Sequence, residues 1–105
     1  MSHLLTILQL HRGHRRAITG NALAQLLGEP NDRLIRKEIR ELIAVGHLIA
    51  SSEEEPFGYF MAETPEEVAQ YLKQLTNRVV EICYRKRDFK KAAKTLNKEK
   101  QLALI

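Results

Sequence analysis

Residues Ile18 to Ala50, ITGNALAQLLGEPNDRLIRKEIRELIAVGHLIA, decide the fold, because apolar residues recur there at helical spacing in two runs separated by a turn. In the first run Ala22, Leu23, Leu26 and Leu27 form one apolar stripe on a short helix. Gly28 ends it, since glycine accepts the left-handed conformation that a helix C-terminus favours, and Pro30 cannot extend the same hydrogen-bond ladder. A second helix is predicted to start at Asn31 or Asp32, either of which can cap its first free N–H groups. Leu34, Ile35, Ile39, Leu42 and Ile43 give that helix its apolar face, and Gly46 stops it.

Once this face is assigned, Arg33, Arg36, Lys37 and Arg40 remain on one exposed strip, with Glu38 and Glu41 towards other sides. Arginine suits a strip that enters a DNA groove, because its planar fork can bond a guanine edge through two parallel contacts, whereas lysine acts on phosphate as a point charge. The same charges also suit a solvated helix face carrying i,i+4 pairs, such as Lys37 with Glu41.

Downstream, Leu48, Ile49 and Ala50 form a short apolar run, Ser51 to Gly58 supplies turn residues, and Tyr59, Phe60, Met61 and Ala62 form a second run. That is a hairpin signal. The stretch Leu27-Gly28, Asn31 to Leu42 with its Leu34-Ile35 and Ile39 spacing, and Gly46-His47-Leu48-Ile49 resembles the winged helix-turn-helix domain at the N-terminus of the biotin repressor. It is also similar to small phage and bacterial regulators that keep only that domain. The resemblance covers roughly the first sixty residues. It implies a recognition helix over Asn31 to Arg40, with Asn31, Arg33, Arg36, Lys37 and Arg40 towards double-stranded DNA and Ala22 to Leu27 as the supporting helix.

The chain departs from that pattern in two places. No ligase or other effector domain is expected after it, so nothing implies biotin chemistry, a cofactor or a corepressor. Glu53, Glu54 and Glu55 occupy the loop that in many relatives touches phosphate, where a duplex would repel them. The wing is therefore expected to point away from DNA, or to meet a basic partner protein or the basic C-terminal helix of the same chain. Charge by region agrees: residues 1 to 47 hold seven Lys/Arg against four Asp/Glu, 48 to 67 hold none against six, and 68 to 105 hold ten against three. An acidic middle between two basic ends is concealed by a net charge of only +4.

Ahead of the helix pair, Leu4, Leu5, Ile7 and Leu8 are placed on a first helix over His3 to Leu10, and Ile18 on a short extended piece that helps close the core. Between them HRGHRR offers Arg12, Arg15 and Arg16, with His11 and His14, either to phosphates beside the groove or simply to solvent. No metal is expected there, because a closed zinc site needs about four ligands and no cysteine or acidic partner is near in sequence. The one cysteine, Cys83, cannot form an internal disulfide. With no apolar run of membrane-spanning length and no secretory start, it points to a cytoplasmic protein.

Thr64-Pro65-Glu66-Glu67 is a helix start, with threonine as cap, proline in the first position and Glu67 placed for a capping box. Along the helix that follows, Val68, Leu72, Leu75, Val79 and Ile82 step by four and three, and the register continues through Lys86, Phe89, Ala93 and Leu96. Leu72, Leu75, Val79, Ile82 and Phe89 would then form a homodimer seam that presents two recognition helices to a two-fold-related site. Alternatively Val68 to Leu75 folds back on the domain's own core. The final RKRDFKKAAKTLNKEK would add nonspecific attraction to nucleic acid or serve as a soluble tail, and is too poor in aromatics for base stacking.

The expected fold class is mostly α with a small β-hairpin, a winged helix-turn-helix over residues 1–63 followed by a long C-terminal helix over 64–105. An enzyme is not expected, since the chain has no Gly-rich phosphate loop, no G-x-S-x-G and no carboxylate pair in an evident pocket. The expected function is sequence-specific binding of double-stranded DNA as a dimeric transcriptional regulator of phage or prokaryotic type. A protein-interaction or adaptor module in a replication or transcription assembly is the alternative, with the acidic wing as its contact. A helix fits the major groove of B-form DNA better than the narrow one of A-form RNA, so geometry favours DNA.

Overall fold

The computed structural model describes residues 3–103, with side chains through Leu96. The order is α1 (His3–Leu8), a 3-10 turn (His14–Arg16), α2 (Gly20–Leu27), α3 (Arg33–Ala44), β1 (Ile49–Ser52), β2 (Gly58–Met61) and α4 (Pro65–Ala103). The chain is therefore mostly helical, with one antiparallel hairpin and a long C-terminal helix. It divides into two compact units, Met1–Tyr71 and Leu72–Ile105.

The first unit closes around Leu4 and Leu8 of α1, Leu23 and Ala24 of α2, Ile35 and Ile39 of α3, Ile49 of β1 and Met61 of β2. Leu4, Leu8, Leu23 and Ile35 are fully buried, and each contributes about 2 kcal/mol by leaving water. Helix α1 stops at Leu8, short of the expected Leu10, which is exposed. The apolar stripes are narrower than their spacing implies. On α2 the buried pair is Leu23 and Ala24, and Leu26 faces solvent. On α3, Ile35 and Ile39 are buried and Leu42 partly so, while Leu34 and Ile43 are exposed. At 3.6 residues per turn Leu34 stands about 100° from Ile35, and Ile43, one turn beyond Ile39, lies at the margin of the same arc.

Local chemistry sets the ends of the helices. Thr19 Oγ1 accepts the Ala22 N–H at 3.1 Å, and left-handed Gly28 (φ 72°) donates its N–H to the Ala24 and Gln25 carbonyls. At α3 it is Asn31 whose side chain accepts a backbone N–H, that of Arg33 at 3.0 Å, whereas Asp32 makes no such bond. The Glu67 N–H donates to Thr64 Oγ1 at 3.1 Å, as a capped start of α4 requires.

The hairpin pairs Ile49 with Met61, Ala50 with Phe60, Ser51 with Tyr59 and Ser52 with Gly58. It begins one residue later than the apolar run, so Leu48 is exposed, and it ends before Ala62. Ile18 lies along the outer side of β2: its N–H donates to the Tyr59 carbonyl at 2.9 Å and its carbonyl accepts the Tyr59 N–H at 2.7 Å. The approach is close enough that any Cβ on Gly58 (φ 128°) would collide with the Ile18 carbonyl.

In the second unit the expected seam lies open in the single chain, with Leu72, Val79, Ile82, Phe89 and Leu96 all exposed and Leu75 partly buried. Cys83 is an exposed free thiol.

Candidate nucleic-acid interface

Helix α3 is anchored by Ile35, Ile39 and Leu42, and its fixed angular spacing then decides where every other side chain goes. Arg33, Arg36, Lys37 and Arg40 are all exposed and lie on the side away from that anchor. Asn31 is exposed but its side-chain oxygen is committed to the Arg33 N–H. Arg36 Nε lies 3.6 Å from Asp32 Oδ1, an exposed i,i+4 pair that orients the guanidinium and adds little stability. Among the described residues the alternative pairing of Lys37 with Glu41 is not formed.

Tyr59 of β2 is half-buried against the core cluster, near Asp32 at the start of α3. Burial pushes its phenol above the ordinary value, Asp32 adds to the rise, Arg36 opposes it, and Tyr71 and Arg40 act more weakly in opposite senses. A Cβ on Gly20 would stand 3.0 Å from Asp32 Oδ2 and 3.5 Å from the Tyr59 ring, so the start of α2 lies close to both. Alternation along β2 puts Tyr59 on the same face as Met61, against the core cluster, and Phe60 on the opposite face beside His14.

The HRGHRR segment is more of a latch than an open basic loop. The His14 backbone N–H donates to Glu67 Oε2 at 2.6 Å, and the same carboxylate accepts the Glu63 N–H through Oε1 at 2.8 Å. Glu67 thus serves the segment ahead of α2 and the approach to α4 together, beyond the cap residue Thr64 that its place in a capping box gives it. Partial burial works to raise its pKa, but the backbone donors Glu63, His14 and Thr64 and the His14 side chain outweigh that, and the carboxyl is held below its ordinary value.

The His14 ring reaches the hairpin. The Ser52 hydroxyl donates to the Glu54 carbonyl at 2.6 Å, so the His14 Nε2–H donates to Ser52 Oγ, also at 2.6 Å. Phe60 lies against the same ring, centroids 5.5 Å apart. His11 is turned inward as well, its Nδ1–H donating to the Arg16 carbonyl at 2.7 Å. Of the three arginines, Arg12 is 3.8 Å from Glu63, while Arg15 and Arg16 are exposed. They border an open concavity that Glu63 and Glu67 share, so its charge is mixed.

Glu53, Glu54 and Glu55 are exposed in the hairpin loop. The seam residues Leu72, Val79, Ile82 and Phe89 belong to the second unit. Among the described residues no group of three or more His, Cys, Asp or Glu is placed to hold a metal ion, and no helix is long and apolar enough to cross a membrane. No protein-family model, curated protein or solved structure matches the chain.

Proposed function

We propose that the protein is a winged helix-turn-helix reader of double-stranded DNA, with α3 as its recognition helix and the β1-β2 loop as its wing. One observation carries this reading: Arg33, Arg36, Lys37 and Arg40 stand exposed on the side of α3 opposite its buried residues. Three of the four are arginines, whose forks can pair with guanine edges. Arg15 and Arg16, and Arg12 to a lesser degree, contribute backbone contacts. Pairing of two copies along Leu72, Leu75, Val79, Ile82 and Phe89 would present two such helices to a palindrome, the arrangement of a phage or prokaryotic transcriptional regulator in the cytoplasm.

Mobility shift of the full chain on random duplex pools, with sequencing of the retained fraction, tests the reading. An enriched palindrome is expected, and Arg36→Glu with Arg40→Glu should abolish the enrichment. A second reading, an adaptor that meets a basic protein, is favoured by the three exposed carboxylates of the hairpin loop. It requires that neutralising Glu53 to Glu55 destroys partner binding and that the arginine exchanges leave it intact.

A further inference from the structure

The second unit carries a second set of cations, arranged differently from those on α3. Lys86, Lys90 and Lys94 follow one another at i, i+4 and i+8, which stacks them in a single row about 6 Å apart along the helix. Arg87 and Lys91 make a parallel row beside it, and all five border one groove along α4 with Cys83 at its edge. The acids described in this unit, Glu81 and Asp88, are seven residues apart and so share a stripe of their own. Asp88 is two residues from both Lys86 and Lys90, a step that places it on nearly the opposite side of the helix.

Like charges at i,i+4 repel, and Lys86 with Lys90, Lys90 with Lys94 and Arg87 with Lys91 form such pairs, with Asp88 as the one acid nearby, on the Arg87–Lys91 side. Among the described residues Arg87 finds partial relief, 3.4 Å from the neighbouring Asp88 and with its guanidinium 4.9 Å from the Tyr84 ring centroid. An anion supplied from outside would relieve the rows. We infer that Lys86, Arg87, Lys90, Lys91 and Lys94 form a phosphate-binding face that holds the nucleic-acid backbone without regard to sequence.

The residue types select this occupant. Four of the five are lysines, which act as point charges on phosphate and lack the fork that reads base edges, the reverse of the arginine-rich strip on α3. Apart from Cys83 the groove is lined by lysine and arginine alone, so its apolar surface is that of their aliphatic stems and the thiol, and no large apolar side chain stands in it. This inference rests on the DNA reading only in the choice of duplex as probe.

The test is fluorescence anisotropy of the full chain with random-sequence duplex across a salt series. The variant is Lys86→Gln, Lys90→Gln and Lys94→Gln together; these positions are exposed and glutamine is a good helix former. Its slope of log affinity against log salt should be shallower by about 2.7, the value for three lost phosphate contacts. Removing equal charge elsewhere on α4, with Lys73→Gln, Arg78→Gln and Arg85→Gln, should change the slope much less. An equal change in the two variants would show that net charge alone matters, and an unchanged slope in the first would show that the row touches no phosphate; either overturns the inference. Preference of the wild-type chain for poly-glutamate over duplex would reassign the face to an acidic protein and overturn it too. In the Arg36→Glu, Arg40→Glu chain, residual salt-sensitive binding that the lysine exchanges remove would support this face even if no palindrome is ever enriched.

Discussion

Helices α3 and α4 repeat their apolar residues with similar regularity and end in opposite conditions. Ile35 and Ile39 of α3 are buried, whereas Leu72, Val79, Ile82 and Phe89 of α4 each keep more than half of their surface exposed in the single chain. The difference teaches that helical spacing specifies a face and leaves open what covers it. In the first unit the cover is supplied by α1, α2 and the hairpin. For α4 we have proposed a second copy.

The contrast can be broken most forcefully in the core. Leu8→Ala should cost about 3 kcal/mol in urea unfolding, since Leu8 is fully buried and its removal leaves a cavity. A loss under about 1 kcal/mol would mean that the first unit is packed no better than the second.

A smaller effect is expected at the latch. The Glu67 carboxyl is held below its ordinary 4.5, so its ionised form contributes stability that is present above that value and is lost as pH falls through the lowered one. Glu67→Gln should weaken the first unit by about 1 kcal/mol at neutral pH, a modest figure because the carboxylate is partly exposed. It should also flatten the acid limb of a stability-against-pH curve. A limb unchanged in the variant would assign the acid sensitivity to other groups.

The smallest effect belongs to α4. At low protein concentration Val79→Ala should shift stability by less than about 0.5 kcal/mol, as befits an exposed helical position. If two copies pair along the seam, the same exchange becomes costlier as concentration rises, which thermal melts over a dilution series would register.

Much of the first unit was legible in advance because its signals are local. Gly28, Thr64-Pro65 and the alternation of turn and apolar residues around Ser51 to Gly58 each act within a few positions of themselves, and α2, α3, the hairpin and the start of α4 follow. The errors in the stripes came from treating every residue at helical spacing as equally inward: Leu26, Leu34 and Ile43 stand at the margins of their arcs and reach solvent. The latch was not legible, since His14 meets Ser52, Glu54 and Glu67 across 38 to 53 residues of chain. No spacing rule connects positions so far apart. The basic strip of α3 was readable because it is the complement of an apolar face, whereas the nearness of Tyr59 to Asp32 joins positions distant in sequence.

The pairing of Ile18 with Tyr59 has a consequence for the protein in a crowded solution. A strand at the border of a sheet offers its unpaired N–H and carbonyl groups to any passing chain, and that is how edge-to-edge aggregates begin. On β2 those groups are already taken: Ile18 exchanges two hydrogen bonds with Tyr59, the Met61 carbonyl accepts the Gly13 N–H, and the Met61 N–H donates to the His11 carbonyl. Residues 11 to 18 therefore act as a guard rail along the sheet, and an intruding strand is left with the four residues of β1, too short an edge to seed a growing stack.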